Sequence, residues 1–235
     1  MSKLYYQEEG IRIYCGDSRE LIKRLPDKSI PLTFADPPYG IGLDYNSPFE
    51  DTQEYYQQMM DFLLTDVLRV SKVLVVTPGG YTNTLQWFDK RKPNWDICWY
   101  KGAVATRSMV GFSHWEHVLI YGDGSVYGEI PDFIHAQPEM VKEGHPCPKP
   151  EKLLMFFINA FTKERELVFD PFLGGGTTLV AAKMLNRKGL GCDLSETYCS
   201  IAANRVSREM VMEGVVVKNL HQEELFEDGN NQDNN

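Results

Sequence analysis

Cysteine is scarce and scattered in this chain: five in 235 residues, an odd number, with no pair at Cys-x-x-Cys spacing. That argues against a disulfide framework or a zinc knuckle and fits a reducing cytoplasm. Long apolar runs are missing too, so no membrane-spanning segment is expected. The opening Met1-Ser2-Lys3-Leu4-Tyr5-Tyr6 has no secretory pattern. Positive charge is in deficit, with 24 Lys and Arg against 33 Asp and Glu, a net charge of −9. Such a balance weighs against indiscriminate nucleic-acid binding. Part of it is local: Glu223, Glu224, Glu227, Asp228 and Asp233 lie in a tail without Lys or Arg, and −4 remains when those five are set aside. Basic residues cluster at Lys90-Arg91-Lys92, Lys101, Arg107, Lys142 and Lys149, either as a DNA-facing stripe or as solvated faces. No repeat at solenoid spacing is present.

What the chain does have is two strand-end signatures. The apolar run Ile30-Pro31-Leu32-Thr33-Phe34-Ala35 reads as a buried strand and ends in Asp36-Pro37-Pro38-Tyr39. Open α/β folds bind ligands at the carboxyl ends of their strands, and Asp36 is placed there. Pro37 and Pro38 stiffen the turn and remove two backbone donors, so the carbonyls there can accept. Tyr39 adds a flat face. A carboxylate, carbonyls and a ring suit a planar group with an exocyclic amine. Downstream, Leu167-Val168-Phe169-Asp170-Pro171-Phe172 leads into Gly174-Gly175-Gly176-Thr177-Thr178. A strand, a glycine turn and a helix start make a nucleotide-type cofactor site, because glycine lets the backbone approach a ligand closely. Asp193 ends the next short strand, 19 residues after Gly174. Such folds place a ribose-binding acid about 20 residues on.

The length suits one large α/β domain. Strands are expected over 10–16, 30–35, 71–77, 97–100, 117–121, 167–170, 189–192 and 215–217, with 97–100 and 117–121 able to pair. Helices are expected after Ser18 as cap, over 53–69, 82–89 and 151–161, from Thr177, and from Ser195 to about Met212. Residues 40–52 read as a mobile loop beside the first motif, a candidate lid. Residues 101–115 read as irregular, 122–145 as loop-rich, and 221–235 as a disordered acidic tail.

Together these residues resemble the DNA amino-methyltransferases that use S-adenosylmethionine. The first motif precedes the second, the permuted order of the beta group. His145-Pro146-Cys147-Pro148-Lys149-Pro150 resembles the group's His-Pro-x-x-Lys-Pro element, and Gly16-Asp17 its adenosine-contacting element. The resemblance spans roughly residues 10–215. It implies a Rossmann-like α/β sandwich over 1–220, a mostly parallel sheet with helices on both faces, and permuted motif order. It also implies DNA as substrate, a homodimer, and a restriction enzyme as companion. Asp at the first motif position leans toward adenine N6 over cytosine N4. The catalytic residues implied are Asp36, Pro37, Pro38 and Tyr39. The cofactor residues implied are Asp17, Asp36, Lys149, Asp170, Phe172, Gly174, Gly176, Thr177 and Asp193, with no metal. One departure stands out: the region for reading the target is reduced to residues 122–144.

Plainer roles exist for the same residues. Asp36 could be a turn or cap acid, Asp17 a turn residue, Asp193 a helix-start acid, Tyr39 a half-buried tyrosine and Lys149 a solvated lysine. His114 and His117, on opposite faces of a strand, fit packing or DNA contact better than a metal. Trp87, Trp95, Trp99 and Trp115 could stack on bases beside a flipped-out one, with core packing favoured for most of them. Two other substrates, an RNA adenine or a protein amide, and two other classes, a non-catalytic subunit and a dehydrogenase, also remain.

Overall fold

The computed structural model describes residues 2–44, 49–102, 106–107, 111–138 and 149–212. The expected strand over 215–217, the acidic tail, and most of the His-Pro-x-x-Lys-Pro element lie outside the described residues. So do parts of the candidate lid and of the target-reading region.

Among the described residues nine strands form one sheet, in the order β1 (Lys3–Glu8), β2 (Ile11–Cys15), β11 (Lys188–Asp193), β10 (Leu167–Asp170), β3 (Ile30–Ala35), β4 (Ser71–Val76), β8 (Trp115–Gly122), β5 (Trp95–Tyr100), β9 (Phe133–His135). The five from β2 to β4 run parallel to one another. Strands β3 and β4 are buried along nearly their whole length, as expected where helices cover both faces. Strand β8 is antiparallel to both β4 and β5, so the expected pairing of the Ile97 and His117 segments holds, with Cys98 opposite His117.

One face carries α5 (Glu151–Phe161), α6 (Thr177–Met184) and α7 (Glu196–Arg208). The other carries α1 (Ser18–Ile22), α2 (Gln53–Phe62) with its extension, and α4 (Tyr81–Lys90). Between α6 and the sheet the packing needs small residues on β11. A Cβ at Gly189 would stand 2.6 Å from Leu179 Cδ2, and one at Gly191 2.7 Å from Leu173 Cδ1. Both distances lie inside van der Waals contact.

Several expectations are corrected in detail. The α1 cap is Asp17, not Ser18: its carboxylate accepts the Arg19 N–H at 2.9 Å. The helix expected over 53–69 is regular only to Phe62. It then widens into a π turn (Leu63–Val67) and closes with α3 (Leu68–Val70). The apolar spacing did not show this, because Leu63, Leu64 and Val67 stay buried through the wider turn. Strands β1 and β9 were not expected, and β6 (Thr106–Arg107) pairs with β7 (Phe112–Ser113) inside the stretch read as irregular. His114 lies between strands rather than on one. Lys101, counted among the basic clusters, is buried against Glu116 at 2.7 Å. Among the described residues no helix is long and apolar enough to cross a membrane.

Candidate active site

The chain reverses direction across the middle of the sheet. From β10 it passes through α6 to β11 on one side, and from β3 through α2 to β4 on the other. Such a switch point opens a crevice at the carboxyl ends of the two central strands. Asp36 follows β3 and Asp170 ends β10, the two strands beside that crevice. Asp193 ends β11 and Asp17 follows β2. Four acids thus stand at the ends of four neighbouring parallel strands.

Asp36 is bonded by three different side chains. Its Oδ1 accepts from the Tyr39 hydroxyl and from Thr77 Oγ1 at 2.5 Å; its Oδ2 accepts from Lys149 Nζ. Lys149 also donates to the Tyr39 hydroxyl at 3.2 Å, and its ammonium lies 5.6 Å from the centre of that ring. Burial, then the charges of Asp36 and Glu116, push the Tyr39 phenol well above its ordinary range, so it donates rather than ionises. The solvated reading of Lys149 is set aside: its side chain is 11% exposed and paired with Asp36.

Beneath Tyr39 lies the turn after β4. Gly79 has φ +85°, and a Cβ there would sit 2.8 Å from Tyr39 Cδ1. Asn83 Nδ2 donates to the Tyr39 carbonyl at 2.8 Å. The Tyr56 hydroxyl donates to the Pro78 carbonyl at 2.7 Å and accepts from Trp87 Nε1 at 2.6 Å. Trp87 is therefore core, as is Trp99, but Trp95 and Trp115 are exposed, so only two of the four tryptophans pack in the core rather than most of them. Gly79→Ala is expected to move the Tyr39 ring and strain the turn, lowering turnover roughly tenfold or more. Steady-state turnover beside a melting curve would check it.

Asp51, which the sequence did not single out, organises the chain after Tyr39. Its buried carboxylate accepts the N–H groups of Gly40 at 2.7 Å and of Ile41 and Leu43 at 3.1 Å each. Asp51 thus ties together the described ends of the candidate lid, and Gln53 Nε2 adds a hydrogen bond to the Gly40 carbonyl at 2.9 Å.

On the glycine side, Asp193 takes the Gly174 N–H and the Ser195 N–H, each at 2.8 Å. It acts as a helix-start acid and as a tie to the glycine turn at once. Burial pushes its carboxyl up, against the backbone donors. Asp170 is buried: Thr178 Oγ1 donates to it at 2.6 Å and the Phe172 N–H at 3.0 Å. Burial outweighs those bonds and pushes its pKa up to about 7. Gly174 (φ +49°) and Gly176 (φ +81°) bend the turn, and Gly176 immediately precedes Thr177 and α6. Arg205, also missed, locks this turn by donating to the Gly175 carbonyl at 2.7 Å and Thr177 Oγ1 at 3.1 Å. Asp17 is pushed up by partial burial, but Arg19's hydrogen bonds and charge together hold it below the ordinary range. The side chains of Phe172 and Tyr55 are only part-buried, and the charges of Asp17 and Asp193 act on Tyr55.

This half has the character of a cationic, nucleotide-bearing ligand site: carboxylates at strand ends, a glycine turn without side chains, and part-buried aromatic rings. Among the described residues no three His, Cys, Asp or Glu side chains are grouped to hold a metal ion. His117 Nδ1 lies 3.0 Å from both Asp96 carboxylate oxygens, and His114 Nδ1 lies 3.1 Å from the Gly102 carbonyl.

Residues 82–204, more than half of the chain, match the N6/N4 methyltransferase family, described as DNA methylase. This chain belongs to the N6/N4 DNA methylase family. Type II methyltransferase M2.LlaDCHI of Lactococcus lactis subsp. cremoris is 24% identical, with 88% of this chain and 93% of that protein covered. The DNA adenine methyltransferase YhdJ of Escherichia coli (strain K12) is also 24% identical, with 86% and 84% covered. Among solved structures, the cytosine-N4-specific PvuII DNA methyltransferase superposes with a TM-score of 0.68 at 20% identity, covering 83% of this chain and 86% of that one. A putative DNA modification methylase from Thermus thermophilus, solved with S-adenosyl-L-methionine, superposes with 0.62 at 20% identity, covering 86% and 98%. The fold is therefore the Rossmann-like methyltransferase fold, and the chain is a DNA amino-methyltransferase. The family match begins at residue 82, so the case for Asp36 rests on its geometry.

Proposed function

We propose that this DNA methylase acts on the N6 amine of adenine, with S-adenosylmethionine as methyl donor. The observation that carries this reading is the position of Asp36. Its carboxylate stands at the switch point between the catalytic turn and the glycine turn, held by three donors and 26% exposed. The order of the two turns supports the permuted beta group. Asp rather than Ser at position 36 favours adenine, and the adenine-specific relative supports the same choice.

The donor, when bound, supplies an electrophilic methyl on a sulfonium. Asp170, Phe172, Gly174, Gly176 and Thr177 would hold its amino-acid end, with Asp193 at the ribose and Asp17 toward the adenosine. The acidic strand ends favour its positive charge. The target amine is a weak nucleophile because its lone pair is delocalised into the ring. In this reading Asp36 and the Pro37 carbonyl each accept one amine hydrogen. That turns the nitrogen lone pair toward the methyl. Pro38 keeps the turn stiff, and Tyr39 lies against the base. Lys149 pairs with the Asp36 carboxylate and holds it in place as an acceptor. The base must first leave its stack, at about a few kcal/mol.

Transfer of labelled methyl to unmethylated genomic DNA, followed by digestion and mass identification of the nucleosides, tests the proposal. N6-methyladenine is expected. The family's scope also covers N4-methylcytosine, and finding that product alone would overturn the adenine assignment.

A further inference from the structure

The shelf that follows β4, Thr77 to Asn83, touches no part of the motifs by sequence, yet it contacts the catalytic turn at three points. Thr77 reaches the Asp36 carboxylate, Gly79 lies under the Tyr39 ring, and Asn83 holds the Tyr39 carbonyl. The shelf is itself anchored. Thr77 is fully buried, and its N–H donates to the Ala35 carbonyl at 3.1 Å, fixing it one residue from Asp36 across the β3–β4 pair. Pro78 is held by the buried Tyr56 hydroxyl.

A carboxylate can rotate about its side-chain bond, and a donor fixed by the fold selects one rotation. The Thr77 hydroxyl, at 2.5 Å from Oδ1, selects that rotation. Tyr39 bonds the same oxygen, so Oδ1 has both its in-plane acceptor positions filled from within the protein. Oδ2 carries Lys149 alone among the hydrogen-bond partners described. It is therefore the oxygen with an acceptor position left for an incoming amine. We infer that Thr77 is a positioning residue for methyl transfer: its hydroxyl occupies Asp36 Oδ1 and so presents Oδ2 to the target amine. This rests on the reading of Asp36 as the acid that contacts that amine. Thr77 itself touches no reacting atom. Tyr39 alone would not suffice, because its ring must also stay free to lie against the base.

The test compares the full-length protein with Thr77→Val, Thr77→Ser and Asp36→Ala, on unmethylated genomic DNA with saturating S-adenosylmethionine. Valine keeps the volume and loses the hydroxyl; serine keeps the hydroxyl. Thr77→Val is expected to lower kcat about ten- to a hundredfold, with KM for DNA and the Kd for S-adenosylmethionine each within about twofold. Thr77→Ser is expected to retain most of the turnover. The inference is overturned by wild-type kcat in Thr77→Val while Asp36→Ala is inactive. It is overturned equally if Thr77→Ser is as impaired as Thr77→Val, or if Thr77→Val loses cofactor binding in step with kcat, since either marks a packing role. Full activity in Asp36→Ala removes the reading beneath the inference, and the inference with it.

Discussion

Asp36→Ala is expected to lower methyl transfer about a thousandfold while S-adenosylmethionine still binds. The substitution removes the acceptor that would orient the amine, and preorganised electrostatic contacts of this kind are worth about a hundred- to a thousandfold each. It also strands Lys149, an 11% exposed ammonium, without its carboxylate. An uncompensated, largely buried cation costs up to about 3 kcal/mol, so the variant should melt lower as well. The two consequences separate in a double variant. Lys149→Met in the Asp36→Ala background removes the stranded charge and should recover most of the melting temperature, but none of the turnover. Recovery of turnover along with stability would show that Asp36 serves the fold and not the reaction. Equilibrium binding of S-adenosylmethionine to each variant checks that the glycine side remains intact, since the hydrogen bonds described for Asp36 run to Tyr39, Thr77 and Lys149.

Asp170→Asn is expected to change how stability depends on pH. Asp170 titrates near 7 in the folded protein against an ordinary 3.8, chiefly because it is buried. A folded pKa above the unfolded one means that the folded state keeps its proton longer. Its contribution to stability is then complete below about pH 4, declines as the pH rises, and is gone above about pH 7. At about 1.4 kcal/mol for each tenfold, the difference is on the order of 4 kcal/mol. Asparagine can preserve both hydrogen bonds: its carbonyl can accept from the Phe172 N–H, and its amide can donate to the Thr178 hydroxyl, which turns to accept. The unfolding free energy of Asp170→Asn relative to wild type should therefore rise across pH 4 to 7 and then level off. A flat difference across that window would show that Asp170 is ionised throughout. A cationic donor beside Asp170 would favour its ionised form, so S-adenosylmethionine affinity in the wild type should rise with pH toward 7, and that slope should vanish in Asp170→Asn.

Local chemistry made much of this legible beforehand. A strand ending in Asp36-Pro37-Pro38-Tyr39 and a strand running into Gly174-Gly175-Gly176 announce themselves because each function is built from neighbouring residues: a carboxylate with its stiff turn, a bare turn with its helix start. Burial on both faces made β3, β4 and β10 readable as apolar runs, and Glu151–Phe161 came through with its bounds intact. Edge strands were not readable. Lys3–Glu8 is mostly exposed, and Phe133–His135 is three residues long. The π turn was invisible because widening the helix by one residue did not change which side chains are buried.

The sequence by itself thus determined the fold class, the two strand-end motifs and their order along the chain. Only the tertiary structure decided what holds those motifs. Thr77, Asp51 and Asn83 are ordinary residues in ordinary contexts, 41, 15 and 47 positions from Asp36, and Arg205 is another, 31 positions from Gly174. Their partners are set by strand pairing and helix docking rather than by spacing. Lys149, 113 positions from Asp36, is the extreme case: a lysine after two prolines and a cysteine reveals nothing of the carboxylate it reaches. A hydrogen bond is short-ranged in space and blind to distance along the chain, so a motif can be read in one dimension and its support only in three.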